Sequence, residues 1–254
     1  MSTLAALGSL ELSVLLSVFL LGVVTMQTYT FFTRFPKDRW PLKALVASLW
    51  IFELLHAGFV ISFLYCVTIS ALVRPSSMTK IASSIIVALF AHGLNNVLLQ
   101  FALIYRLYII TQRRLFPVFL AIASSISVGT FFISLVLLID GKSRQFSIIL
   151  SLYLLLSAAI YFSITAATFH ALRTSRKDKS ENTQRIVFRL MLWTSLHATV
   201  FTGTGIASAV LFIVQSDSFL WVGILSVSQQ FFSISFLASQ ISFFVSVVCK
   251  LILW

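Results

Sequence analysis

The chain has 254 residues, of which 59% are hydrophobic and 10% charged, with 18 Lys and Arg against 7 Asp and Glu. A soluble globular domain carries about a quarter of its residues as charges, so this composition excludes that class and points to a chain dissolved in lipid. The formal charge of +11 reads as a set of topology determinants rather than a nucleic-acid footprint.

Apolar runs define the organisation in chain order. A first span is expected over 7–32, and it ends at the polar turn TRFPKDRWP. The residues before it lack a basic n-region, and the run outlasts the 7–15 apolar residues of a signal peptide, so it reads as a retained span. A second helix is expected over 41–72, with Pro41 at its first position, where a missing N–H is no loss. The RPSS segment at Arg74 and Pro75 closes it. A third is expected over 81–110, before TQRR, and a fourth over 115–139, before DGKSR. The fifth covers 146–172 and precedes the longest polar stretch, RTSRKDKSENTQR. The sixth is expected over 186–214 and the seventh over 219–241, with an atypical apolar end at 242–254. Runs of this length cross lipid as helices, since barrel strands are short and alternate with a period of two. The expected architecture is one all-α domain over 1–254, a polytopic bundle of seven transmembrane helices.

Charge orients that bundle. With seven spans, fourteen Lys and Arg fall on one side, among them Arg34, Lys37, Arg113, Arg114, Arg173 and Lys177, and four fall on the other: Arg74, Lys80, Lys142 and Arg144. The positive-inside rule then places the N-terminus outside and the C-terminus in the cytoplasm. The basic stretch from Arg173 to Arg189 is a candidate for anionic lipid headgroups, diluted by Asp178 and Glu181.

Polar groups at membrane depth carry the functional information, because each needs a partner or a polar cavity. The second span has Glu53 and His56 in WIFELLHAGF, three residues apart and on one face. The third has His92, Asn95, Asn96 and Gln100 in AHGLNNVLLQ, whose offsets keep them in one stripe expected to face inward. Interhelical hydrogen bonding and a ligand pocket both account for such residues. His197 in the sixth span and Gln229 or Gln230 in the seventh are further inward candidates. Arg106 and Arg189 lie near cytoplasmic ends, where a side chain snorkels toward phosphate.

Several chemistries lack a marker. Glu53, His56 and His92 have the types of a His/His/Glu metal site but no HExxH spacing, and no metal or cofactor is assigned. Cys66 and Cys249 both lie in apolar runs and read as small hydrophobes. No central lysine in the seventh span suits a retinal Schiff base, and no Gly-rich phosphate cradle or nucleophile elbow selects a catalytic residue.

The segment LGVVTMQTYTFFTRFPKDRWPLKALVASLWIFELLHAGFV, with FALIYRLYII and the later LRTSRKDKSENTQRIVFRLMLWTSLHATVFTG and VSQQFFSISFLAS, resembles the fungal DUF6534 membrane proteins. The resemblance covers about 10–240 and rests most on the FPKD turn followed by ELLH. It implies a seven-helix bundle and carries no established activity, cofactor or catalytic residue. Members of that family continue after the seventh helix with a Leu-Asn-x-Arg-like element and a polar tail, whereas this chain reads LASQISFFVSVVCKLILW.

The favoured expectation is a receptor-like or sensory protein that binds a small or lipidic ligand at the polar centre, with membrane lipids and a cytoplasmic protein as partners. A transporter or channel for a small solute or protons is the first alternative, and a structural or assembly protein the second. Neither the cellular membrane nor the oligomeric state is marked in the sequence.

Overall fold

Lipid offers the backbone no hydrogen-bond partner, so each apolar run satisfies its own amides as a helix. The computed structural model describes residues 3–36, 40–73, 83–111, 115–176, 199–200, 202–211, 214 and 220–252. Among them are seven helices: α1 (Thr3–Arg34), α2 (Trp40–Val73), α3 (Ser83–Thr111), α4 (Leu115–Ile139), α5 (Ser143–Arg176), α6 (Thr202–Leu211) and α7 (Leu220–Ile252). Six of these, all but α6, are long and apolar enough to cross a membrane. The chain is thus an all-α, polytopic helical bundle, as its composition implied.

The first five expected spans fall within a few residues of the observed helices, and α4 matches at both ends. The observed helices are longer at most ends. At 1.5 Å per residue, 34 residues of α2 extend about 50 Å, against a hydrocarbon core of about 30 Å, so their ends reach the headgroup layer. Of the expected sixth span, only 199–200, 202–211 and 214 are described. The stretch 242–252 continues α7 without a break. His197, Arg189, the FPKD charges and most of the basic stretch lie outside the described residues.

The connection between α4 and α5 shows how sequence ends a helix. Gly141 adopts a positive φ of 73°, a conformation that costs a glycine little. Lys142 N–H then donates to Leu137 O at 3.0 Å and Gly141 N–H to Leu138 O at 3.2 Å, a Schellman cap that satisfies two terminal carbonyls.

Packing follows a simple order. α1 lies between α7 and α2, α2 packs on α3, and α3 is central, touching α2, α4 and α5. α6 approaches α5, where an added Cβ at Gly205 would sit 3.6 Å from the Ala158 Cβ. Small residues bring backbones together, as expected where lipid supplies no hydrophobic drive. An added Cβ on Gly223 of α7 would lie 2.7 Å from the Ser13 Cβ of α1, and Ser17 Oγ donates to Ser226 O at 3.4 Å. Gly93 of α3 sits under the ring of Phe131 of α4, whose Cε1 would be 2.0 Å from an added Cβ.

Hydroxyls on the outer surface are satisfied locally. Thr30, Ser62, Ser125 and Ser163 each donate to the carbonyl four residues earlier, at 2.7 to 3.0 Å. Such back-bonding lets a polar side chain face lipid without an orphan donor.

Candidate functional site

Three helices share one layered order along their length. On α2 the buried residues run from Val46 and Leu49 through Glu53 and His56 to Val60 and Phe63. On α7 they run from Trp221, Val222 and Leu225 through Gln229, Gln230 and Ser233 to Phe236 and Leu237, with the buried Ser226, Ser228, Ser235 and Ser239 interspersed, of which Ser226 and Ser228 bond their own helix. On α3 they run from Ile85, Ala88 and Leu89 through His92, Asn95, Asn96 and Gln100 to Ile104 and Leu107, with Leu99 interleaved. The apolar layer on one side is continuous from Leu10 and Val14 of α1 through Phe63, Leu89 and Trp221. On the other side Leu49 and Phe236 close it, in a cluster that also takes in Leu99, Tyr161 and Phe232 at the level of the polar layer.

Glu53 is the centre of the polar layer and is wholly buried. Asn95 Nδ2 of α3 donates to Glu53 Oε1 at 2.6 Å, and Gln229 Nε2 of α7 donates to the same oxygen at 3.3 Å. Ser233 Oγ donates there as well, and Asn95 Nδ2 also reaches Ser233 Oγ at 3.5 Å. Thus one carboxyl oxygen gathers three helices. Glu53 Oε2 and Asn95 Oδ1, both buried, have no partner among the described residues.

One turn along, His56 Nδ1–H donates to Ala88 O at 2.9 Å, which joins α2 to α3 a second time. That bond fixes the tautomer, and leaves Nε2 as a lone-pair acceptor. His56 Nε2 and His92 Nδ1 are also without partners among the described residues. The His56 and His92 rings lie 5.7 Å apart with planes tilted by 47°. The pairs Glu53–Asn95 and His56–His92 therefore form two rungs between α2 and α3.

Asn96 and Gln100 belong to a different face. At about 100° per residue, Asn95 and Gln100 point about 140° apart around α3. Asn96 Nδ2 donates to Tyr153 Oη at 2.6 Å, and Tyr161 Oη donates to Asn96 Oδ1 at 2.6 Å. Ser124 Oγ of α4 donates to Gln100 Oε1 at 2.5 Å. Nearby, Ser127 and Ser157 hydroxyls meet at 2.9 Å between α4 and α5. The stripe expected as one surface is wholly buried, yet its members are divided between α2 and α7 on one side and α4 and α5 on the other.

Arg106 NH1 donates to Ser239 Oγ of α7 at 2.5 Å, which ties the far ends of α3 and α7. His170 is exposed. Gln229 and Gln230 are both buried, and neither amide atom of Gln230 has a partner among the described residues. Ser233, Tyr153, Tyr161 and Ser124 were not singled out by sequence. Ser233 follows Gln229 by four residues and the two tyrosines are eight apart, spacings that stack each pair on one helical face.

Among the described residues, no three His, Cys, Asp or Glu side chains converge as a metal site. Among the described residues the polar centre leaves three acceptors without partners, Glu53 Oε2, Asn95 Oδ1 and His56 Nε2, together with both amide atoms of Gln230.

No curated protein and no solved structure matches the chain. Residues 157–242, from the second half of α5 to α7 beyond Ser233, match the model of a family of unknown function, DUF6534, which therefore includes the α7 side of the polar centre.

Proposed function

We propose that this multi-pass membrane protein is receptor-like, and that its mid-bundle polar centre anchors the polar group of a small or lipidic ligand. The observation that carries this reading is a set of buried polar atoms on neighbouring faces of α2 and α3 that have no partner among the described residues: Glu53 Oε2, Asn95 Oδ1, His56 Nε2 and His92 Nδ1. Burying a polar group without a hydrogen bond costs about 1–3 kcal/mol by protein measurements, so four together are expensive unless something fills them. A purely structural network has no use for that expense, because apolar side chains would pack the same space.

The apolar layers on either side favour a ligand that stays over a solute that passes. A channel or transporter needs a polar route, and on α2, α3 and α7 the polar belt is bounded by Phe63 and Trp221 on one side and by Leu49 and Phe236 on the other. The proposed orientation places the N-terminus outside and the basic stretch after α5 in the cytoplasm, where it is available to anionic lipid or a protein partner. A cysteine introduced at Ser180 should then react with an impermeant thiol reagent only from the cytoplasmic side.

Native mass spectrometry of protein extracted with its own lipids tests the ligand reading. A retained small molecule is expected in the wild type and should be lost from folded Glu53→Gln and Asn95→Ala variants. Identical spectra from all three would overturn it, as would solute or proton flux through the reconstituted wild type that these variants abolish.

A further inference from the structure

Three of the polar-centre atoms that lack a partner among the described residues are acceptors. Glu53 Oε2 and Asn95 Oδ1 are acceptors by type. His56 Nε2 is an acceptor by assignment, because the Nδ1 proton is used on Ala88 O at 2.9 Å. Three donors at the same level, Asn95 Nδ2, Gln229 Nε2 and Ser233 Oγ, converge on Glu53 Oε1, whereas Gln230 Nε2 is a buried donor without a partner among the described residues. Around Glu53 and His56 the centre thus presents three lone-pair acceptors, Glu53 Oε2, Asn95 Oδ1 and His56 Nε2, without partners among the described residues.

It also holds an acidic group with no basic counterpart. Among the described residues no Lys or Arg pairs with Glu53, and Lys142 pairs with Asp140 in the α4–α5 turn. An ionisable group at this depth ordinarily faces a counter-charge or a polar cavity.

We propose, on the strength of the ligand-binding reading above, that the ligand is an amphiphilic primary or secondary amine whose ammonium group meets Glu53 Oε2, Asn95 Oδ1 and His56 Nε2. An ammonium supplies the missing positive charge and up to three N–H donors in one compact group, which matches three acceptors on two adjacent helices. The apolar layers bounding the belt accept the hydrocarbon body. A neutral hydroxyl brings one donor and no charge. A quaternary ammonium brings charge without a donor. A metal ion prefers a convergent set of three or more His, Cys, Asp or Glu ligands, which the described residues do not form.

The test uses the full chain in phosphatidylcholine nanodiscs and three probes with the same tail: dodecylamine, dodecanol and dodecyltrimethylammonium. Thermal unfolding is followed as each is titrated, for the wild type and for Glu53→Gln, which keeps an acceptor at Oε1 and places an NH2 where Oε2 stood. Dodecylamine should raise the wild-type Tm saturably, and the apparent Kd should be at least about tenfold weaker in Glu53→Gln, the loss expected for a charge-assisted hydrogen bond. The other two probes should shift wild type and variant equally. If Glu53→Gln does not fold, the comparison of the three probes on the wild type still decides. Equal stabilisation by dodecanol or the quaternary ammonium overturns the proposal, as does stabilisation by zinc ions and by no amine. If the amine fails while native mass spectrometry still finds a different molecule that depends on Glu53, the amine assignment alone falls. If neither experiment finds a bound molecule, the ligand-binding reading falls with it.

Discussion

Asn95 and Asn96 are consecutive on α3, equally deep and chemically identical, yet they do opposite things. Asn96 is saturated: its amide donates to Tyr153 and its oxygen accepts from Tyr161, so α3 is clamped to α5 at two levels. Asn95 uses only its amide, on Glu53 and Ser233, and leaves its oxygen bare among the described residues. The α5 side of the central helix is therefore a fastening and the α2–α7 side is the proposed site. A buried polar residue in a membrane bundle is informative through the atoms it leaves over, more than through its presence.

The comparison is broken most forcefully from the fastening side. Gly93 lets the Phe131 ring lie against α3, and that ring packs on Tyr153 with centroids 4.9 Å apart. Gly93→Ala forces Phe131 to move, and Tyr153 with it, so stability should fall by about 2–3 kcal/mol, the upper range for overpacking. Unfolding in bicelles measures this, and a variant as stable as wild type would show that the ring has room to retreat. Asn96→Ala comes next. It removes the amide that Tyr153 and Tyr161 share, while Tyr161 Oη keeps the Asn96 carbonyl at 3.4 Å and Tyr153 keeps Ser157, and it should cost about 1–2 kcal/mol. It should leave the retained ligand unchanged, because neither tyrosine belongs to the Glu53 side. Asn95→Ala should do the reverse, costing about 1 kcal/mol or less while abolishing ligand retention. If both asparagines affect stability and ligand alike, the division of α3 into two faces is wrong.

The fold was legible because lipid permits so few solutions. Runs such as 115–139 have one outcome in a bilayer, and α4 follows that run from end to end. Which way each helix turns was legible only from polar residues, since lipid and protein core are both apolar and an outward Leu12 looks like an inward Leu10. Glu53, His56 and the amides of α3 thus stood out, while Ser233 did not. Serines crowd this chain, several bonding to their own helix, and nothing in SVSQQFFSIS says which one reaches a carboxyl on α2. The division between Asn95 and Asn96 was beyond sequence for a different reason. It depends on which helix occupies each sector around α3, a property of the assembled bundle. The likeness to DUF6534 was read over about 10–240, whereas the family model matches 157–242, which leaves Glu53 and the α3 amides outside it.

The smallest effect sharpens the line between a fastening and a decoration. Ser127 and Ser157 share one hydrogen bond of 2.9 Å between α4 and α5, on the same side as the Asn96 clamp. Both are wholly buried, so the bond is shielded from water, but a serine freed of its partner readily turns to its own helix, as Ser134 does toward Phe131 O at 2.6 Å. Ser127→Ala should therefore cost only about 0.6 kcal/mol, the average for interhelical side-chain bonds in membranes. The double variant Ser127→Ala with Ser157→Ala should cost little more, because the second hydroxyl has already lost its interhelical role. A double-mutant cycle in bicelles measures the coupling directly. Coupling as large as the Asn96 loss would mean that the α4–α5 contact shares the work of the clamp, and that the fastening side of α3 extends one helix further than Tyr153 and Tyr161.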